Sequence, residues 1–193
     1  MSAEAPENLW LAELWLQNRD RLVRLIATRM SPVLLRRMSP DDVAQETYLA
    51  CGRRMKFLQE HSDVPVFVKL RKLALQTITD MERKHLAAGK RDAMKESCLA
   101  ESDNDVSVNA LSRFADSLVG PRTHLERMEL LEQTRRAMRE LPENDREILE
   151  LRHFEELSNT ECAAALGIEP KAASIRYVRA LKRMKELLGN VGV

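Results

Sequence analysis

The chain has 193 residues, enough for one large or two small domains, and its 44% hydrophobic content suffices for a packed core. Aromatic residues make up 4% of it and glycines number 6, a composition that favours helices over sheets. The net charge of +1 excludes a uniformly basic DNA-coating protein, so any binding depends on local patches of charge.

Several functional classes lack their sequence signals. The chain has no glycine-rich phosphate loop, no G-x-S-x-G and no H-E-x-x-H motif, so we do not predict an enzyme. Its 3 cysteines and 4 histidines are scattered without metal-ligand spacing, and we predict neither a metal site nor a cofactor. There is no apolar run of membrane-spanning length and no basic signal-peptide segment, so we expect a cytoplasmic protein without a membrane partner.

Three helices are predicted in the first half of the chain. Residues 8–29 place leucines and Trp15 at helical spacing. The next helix begins at Ser39, which can cap its N-terminus, with Pro40 in the first position and acidic residues in the first turn. A third helix, opened by Pro65, has a broad apolar face and an excess of basic residues over 69–91.

The helical pattern breaks over residues 96–122, which are rich in acidic residues, serine and asparagine and end in Gly120-Pro121. This composition predicts a flexible acidic linker with at most a weak helix around 110–118. Thr123 and Glu126 then form a capping box that opens a helix through Glu140.

Residues 141–188 predict a helix-turn-helix. Ser158 and Glu161 have capping-box spacing, Gly167 can take the positive φ of a helix C-cap, and Pro170 suits the first turn of a new helix. In the last helix one stripe is apolar, and a neighbouring stripe carries three arginines that can neutralise phosphates or bind guanine edges, namely Arg176, Arg179 and Arg183. A solvated basic face is the alternative for the stripe alone, but the turn and caps together favour DNA binding.

The stretch from Leu141 to Ile168, followed by R-x-x-R-A at Arg176, resembles the C-terminal promoter-reading domain of bacterial extracytoplasmic-function (ECF) sigma factors. Glu169 replaces the usual serine, and Ser174-Ile175 replace the usual Lys-Ser. The resemblance implies that this domain binds the promoter −35 element through Lys171, Ser174, Arg176, Arg179 and Arg183.

The segment DDVAQETYLA resembles the family's D-D-x-x-Q-E-x-F-L helix, which binds the clamp of the RNA polymerase largest subunit. The resemblance implies a polymerase-binding set of Asp41, Asp42, Gln45, Glu46 and Thr47. A plain capped surface helix is the alternative for this segment alone.

The third helix resembles the family's F-x-x-W-L-x-x-I-A-x-N segment, which melts and holds the −10 element. The resemblance implies a −10 binding set of Arg71, Lys72, Gln76, Arg83 and Lys84. Lys69 stands at the usual tryptophan position. Either Phe67 takes the place of that tryptophan in a shifted register, or the grip on unpaired bases differs.

We therefore expect an all-α fold of two small helical domains, residues 1–95 and 123–193, joined by a flexible acidic linker over 96–122, with a helix-turn-helix in the second domain. The resemblance implies an alternative sigma factor in transcription initiation, with core RNA polymerase, promoter DNA and an anti-sigma factor as partners. Two alternatives remain. One is a free-standing helix-turn-helix regulator that dimerises through its N-terminal helices, and the other is a degenerate sigma-like module that binds only protein.

Overall fold

The computed structural model describes residues 4–60, 63–89, 105–119 and 124–189, and within these ranges every regular element is a helix. The all-α prediction is confirmed. The elements in chain order are α1 (Glu4–Arg29), α2 (Pro32–Leu35), α3 (Pro40–Arg53), α4 (Met55–Gln59), α5 (Val66–Gly89), α6 (Asp105–Val119), α7 (His124–Glu140), α8 (Glu143–Leu149), a π-helical segment (Glu150–Phe154), α9 (Asn159–Leu166) and α10 (Pro170–Gly189).

The chain divides into two compact units, Met1–Asn104 and Asp105–Val193. None of the described helices combines the length and the apolar character that a membrane crossing requires.

In the first unit, α1, α3 and α5 pack against one another, and the short helices α2 and α4 cover α5. Each long helix contributes residues at helical spacing to a shared core, because its apolar residues recur every three or four positions. Fully buried core side chains include Leu22, Leu25, Ile26, Val43, Cys51 and Leu70. Burial raises the pKa of the Cys51 thiol to about 12, so this cysteine is a protonated core residue.

The start of α3 follows the sequence signals at Ser39. The Ser39 hydroxyl accepts a hydrogen bond from the Asp42 backbone N–H at 3.2 Å, and the Asp42 carboxylate accepts one from the Ser39 N–H at 2.8 Å. These bonds satisfy backbone donors that the first turn of a helix leaves without partners. The Ser39 hydroxyl, which donates to the Asp42 carboxylate at 2.7 Å, and the Ser39 N–H together lower the pKa of Asp42, because both bonds stabilise its charged form.

In the second unit, α6 packs on α7 and on the π-helical segment, while α8 and α9 pack on α10. Residues 105–119 of the predicted linker form α6, a longer helix than the weak one that we predicted around 110–118. Ala110 and Phe114 of α6 are each 1% exposed, because they lie on an apolar face of this helix. The polar and acidic residues between them make that face hard to recognise in the sequence. The rest of the predicted linker, with Thr123 of the predicted capping box, lies outside the described residues.

Candidate nucleic-acid interface

The turn between α9 and α10 has the geometry that the sequence predicts. The Ser158 hydroxyl accepts from the Glu161 N–H at 3.2 Å, and the Glu161 carboxylate accepts from the Ser158 N–H at 2.8 Å. Gly167 ends α9 with φ of 63°, a left-handed conformation that favours glycine. Asn159 Nδ2 donates to the Pro170 carbonyl at 2.9 Å, which ties the start of α9 to the start of α10. The predicted helix-turn-helix is confirmed.

The inner face of α10 is the predicted apolar stripe. Ala173, Ala180 and Met184 are all 0% exposed. Tyr177 is half-buried on the same stripe, and its hydroxyl lies 3.0 Å from His153 Nε2. The His153 ring also packs on Phe114 of α6, with ring centroids 4.4 Å apart. α10 is therefore anchored through the π-helical segment to α6.

His153 lies in an environment that disfavours its charged form. Burial, with the positive charge of Arg152 as a smaller cause, lowers the pKa of His153 to about 4. The imidazole is therefore neutral at physiological pH and contributes packing rather than positive charge.

A buried carboxylate holds the arginines on one edge of α10. The Asp145 side chain of α8 is 0% exposed. Its Oδ1 accepts from Arg179 Nε at 3.0 Å and from Arg179 Nη2 at 2.5 Å. Its Oδ2 accepts from Arg183 Nη1. Asp145 therefore fixes the position of both guanidinium groups.

Opposing effects act on the ionisation of Asp145. Burial on its own would raise the pKa of this carboxyl group, but the hydrogen bonds and charges of Arg179 and Arg183 outweigh burial and hold the pKa below its ordinary value. A buried carboxylate with two cationic partners is compensated, whereas the same group without them would be costly.

The three arginines predicted as one row are thus not equivalent. The side chains of Arg179 and Arg183 are 49% and 45% exposed while they are bound to Asp145. Arg176 is half-buried and, among the described residues, has no ion-pair partner. The sequence did carry a signal for Asp145, since it shares the buried face of α8 with Ile148 and Leu149, and an acid on an apolar face needs a cationic partner.

The outward face of α10 carries a different set of side chains. At about 100° per residue, positions 171, 174, 175, 178 and 182 fall on one side of the helix. All five residues are exposed. Lys171 has no ion-pair partner in the described part of the chain, and the Ser174 hydroxyl donates to the Pro170 carbonyl at 3.2 Å. The two apolar members are Ile175 and Val178.

In the first unit, Lys69 of α5 is part of the core rather than of a basic surface. It is 4% exposed, and its Nζ donates to the Leu58 carbonyl at 2.9 Å and to the Glu60 carbonyl. These carbonyls belong to the end of α4, where backbone acceptors lack helical partners. Lys69 therefore adds no positive charge to the predicted basic face of α5, because this ammonium group caps α4.

Phe67 does not replace the missing tryptophan as a base-stacking residue. It is 4% exposed, and the Arg21 guanidinium carbon lies 3.6 Å from the centre of its ring. The structure does not favour base stacking on Phe67, because one face of its ring is already covered and the residue is buried. The half-buried aromatic residue beside the basic face is instead Phe57 of α4, whose ring centre lies 5.5 Å from Lys72 Nζ.

The other predicted −10 residues lie on the outer part of α5. Lys72, Gln76, Arg83 and Lys84 are exposed, whereas Arg71 is half-buried. Gln76 Oε1 accepts from Arg54 Nη1 at 2.7 Å, an exposed contact that adds a cation from the end of α3 to this surface. The structure thus brings four of the five predicted residues to the exposed side of one helix.

The predicted polymerase-binding residues of α3 divide by exposure. Asp41, Asp42, Gln45 and Glu46 are exposed. Thr47 is 0% exposed and its hydroxyl donates to the Val43 carbonyl at 2.8 Å, so its inclusion in a partner-binding surface was wrong. A threonine hydroxyl that bonds back to its own helix leaves the methyl group free to pack in the core.

An open groove of about 370 Å³ lies between α1 and α3. Asp41 forms a 2.5 Å ion pair with Arg19 at this groove, and Trp15 packs edge-on against Tyr48 with ring centroids 5.1 Å apart. Gln45 lines the same groove. The sequence did not predict it, because its walls come from two helices that are distant in the chain.

The turn geometry and the exposed basic helix define the second unit as a helix-turn-helix of the DNA-binding class. Its family model is that of Sigma-70, region 4, which matches residues 131–184. The ECF RNA polymerase sigma factors SigD of Mycobacterium bovis and of Mycobacterium tuberculosis are each 33% identical to this chain over 169 residues, 87% of this chain and 72% of the relative. The solved structure of CnrH in complex with the cytosolic domain of CnrY is 19% identical and covers 93% of this chain and 88% of that chain, with a TM-score of 0.48.

At this identity and coverage, the chain belongs to the ECF RNA polymerase sigma factors. It is an alternative sigma factor, which acts in promoter recognition and transcription initiation. The family prediction made from the sequence motifs is confirmed.

Proposed function

We propose that this sigma factor binds its partners through three surfaces. α10 binds the −35 duplex, the exposed side of α5 binds the opened −10 strand, and α3 binds core RNA polymerase. The observation that carries the proposal is the outward face of α10, where exposed side chains follow a confirmed helix-turn-helix and are flanked by cations. A helix of this width fits the major groove of B-DNA.

On α10, the side chains divide between base reading and phosphate binding. Lys171, Ser174 and Arg176 are the proposed polar contacts to the −35 duplex. Arg179 and Arg183 are proposed to bind phosphates with the N–H groups that Asp145 does not use. Because Asp145 already holds both guanidinium groups, they lose less side-chain freedom on binding. Phosphate contacts position a recognition helix, whereas contacts to base edges distinguish sequences.

On α5, the proposed −10 surface consists of Lys72, Gln76, Arg83 and Lys84, with Arg71 at its edge. Cations along one side of a helix can follow a single-stranded backbone, and Phe57 beside Lys72 is an aromatic side chain on which a base can stack. Stacking on one aromatic residue corresponds to about 1–3 kcal/mol per base.

On α3, Asp41, Gln45 and Glu46 are the proposed contacts to core polymerase, whereas Asp42 is engaged in capping its own helix. The groove beside them offers apolar and charged groups together, which suits a partner helix with basic and apolar side chains. Family membership further supports an anti-sigma factor as a partner, a cytoplasmic location and a role without a catalytic step of its own.

The experiment is in vitro transcription with sigma-free core polymerase on a pool of promoter fragments from the host genome. Wild-type protein should bind core and give defined transcripts. Gln45→Ala with Glu46→Ala should weaken core binding, whereas Lys171→Ala with Arg176→Ala should retain core binding and lose the transcripts. Failure of the wild-type protein to bind core would contradict the proposal and favour a free-standing DNA-binding regulator. Core binding without transcripts would instead favour a degenerate sigma-like module.

A further inference from the structure

Two apolar side chains on α10 are turned away from the protein. Ile175 and Val178 are 59% and 65% exposed, whereas Ala173, Ala180 and Met184 on the opposite side of the same helix are 0% exposed. The exposed pair is therefore no part of the core of its unit. β-branched residues are also weaker helix formers than alanine, so their presence in an exposed helix position brings no stability to the fold.

The surroundings of this pair indicate what it contacts. Lys171, Ser174 and Lys182 share its side of α10, and Arg176 and Arg179 lie along the adjacent edge. An apolar patch in a mainly cationic surface is complementary to a polyanion that presents isolated apolar groups. The major groove of B-DNA is such a surface, because the thymine C5-methyl group is the apolar feature among its base edges.

We propose that Ile175 and Val178 are specificity-determining residues that read thymine methyl groups in the −35 element, an inference that rests on the proposed −35 role of α10. The two residues are three positions apart, about 4.5 Å along a helix axis. Stacked base pairs are about 3.4 Å apart. The pair therefore reaches adjacent base pairs, and the preferred element contains thymine at one or both.

Replacement of thymine by deoxyuridine tests this contact, because deoxyuridine keeps the hydrogen-bonding edge and lacks only the methyl group. The experiment uses core polymerase assembled with the 193-residue chain and a promoter recovered from its own transcripts, with each −35 thymine replaced in turn. Burial of one methyl group changes a binding constant by about fourfold. Replacement of a contacted thymine should therefore weaken promoter binding by about that factor, and one or two of the −35 thymines should show the effect.

A double-mutant cycle assigns the methyl group to a side chain. Ile175→Ala or Val178→Ala should weaken binding to the promoter that contains thymine. On the deoxyuridine promoter that lacks the partner methyl group, the same substitution should cause little further loss of affinity. Leu125→Ala is the matched control, because Leu125 is an apolar residue of α7 with 70% exposure, and it should change neither. Thermal unfolding followed by circular dichroism checks that all three variants fold.

The outcomes separate this inference from the proposed function. A wild-type protein that does not bind core or promoter overturns the proposed function, and this inference with it. If the wild type binds, the inference alone is overturned by an element in which no thymine replacement matters. It is also overturned if alanine variants lose the same factor on both promoters, which would make the exposed pair a protein contact.

Discussion

α5 and α10 are both long basic helices, and in each of them some of the basic side chains make structural contacts within the protein. The kind of contact differs between the two helices. In α5, Lys69 is buried and donates to two backbone carbonyls at the end of α4. In α10, Arg179 and Arg183 remain about half-exposed while a buried carboxylate holds them. The first cation is removed from any binding surface, whereas the other two are oriented at the edge of one.

This difference shows which cations in a basic helix are available to a ligand. A side chain that satisfies backbone carbonyls has exchanged solvent for fixed acceptors, and its removal leaves those acceptors without partners. An arginine bound to one carboxylate still has unused donors, since a guanidinium group carries five N–H bonds. A count of positive residues along a helix therefore overestimates the number of cations available to a ligand, and it does so more for α5 than for α10.

The largest predicted effect concerns the carboxylate beneath α10. Asp145→Ala should lower the free energy of unfolding of the second unit by about 2–3 kcal/mol, because hydrogen bonds between charged groups are lost beside a new cavity. Amide hydrogen exchange in α8 and α10 is the suitable measurement, since Trp10 and Trp15, the 2 tryptophans, both lie in α1.

Glu147→Ala is the matched control for Asp145→Ala. Glu147 lies on α8 but is exposed, so its removal should change stability by no more than about 0.5 kcal/mol. Because the folded-state pKa of Asp145 is lowered, its contribution is present above its ordinary value of 3.8 and is lost as the pH falls through the folded-state value. Equal small losses in both variants would show that Asp145 does not hold α10.

The next effect concerns the buried lysine of α5. Lys69→Met keeps the apolar stem and removes the ammonium group, so the Leu58 and Glu60 carbonyls lose their donor. The free energy of unfolding of the first unit should fall by about 1–3 kcal/mol. Tryptophan fluorescence during urea unfolding measures this unit directly.

Lys72→Met is the matched control on the same helix. Lys72 is exposed, so its replacement should change stability by about 0.5 kcal/mol or less while weakening the proposed −10 contact. If Lys72→Met destabilised the first unit as much as Lys69→Met, the assignment of Lys69 as a helix cap would be contradicted.

A smaller effect at neutral pH concerns His153, which anchors the inner face of α10. The folded-state pKa is lowered to about 4, so unfolded chains bind the additional proton below the ordinary value of 6.5. Stability of the second unit should therefore fall as the pH drops from 6.5 towards 4, by at most about 1.4 kcal/mol per pH unit. An NMR titration measures the His153 pKa, with His153→Gln to assign its signal. A titration midpoint near 6.5 would show that the ring is solvated.

The sequence was most informative where the chain makes local contacts. The capping box at Ser158, the positive φ at Gly167 and the apolar stripe of α10 all depend on residues close in sequence, and all three were predicted correctly. α6 was predicted only as a weak helix around 110–118, because its buried residues are surrounded by polar ones.

The roles of individual cations could not be predicted, because their partners are distant in the chain. Asp145 lies 34 residues before Arg179, and Lys69 lies 11 residues after Leu58. The Asp145 partnership could have been suspected from an acid on an apolar helix face. The acceptors of Lys69 are backbone carbonyls. Because every residue has one, the residue types do not indicate which carbonyls will accept from this lysine.

The measurement that tests the account most directly is the salt dependence of promoter binding by polymerase assembled with Arg176→Ala. Arg176 has no ion-pair partner among the described residues, so its removal should leave stability unchanged and lower promoter affinity. Because its proposed contact is to base edges rather than to a phosphate, the salt slope should change by less than about one. Arg136→Ala is the control, because Arg136 lies on α7 with a side chain that is 67% exposed. Promoter binding that is unchanged in Arg176→Ala, or reduced equally in both variants, would contradict the assignment of α10 as the DNA-binding helix.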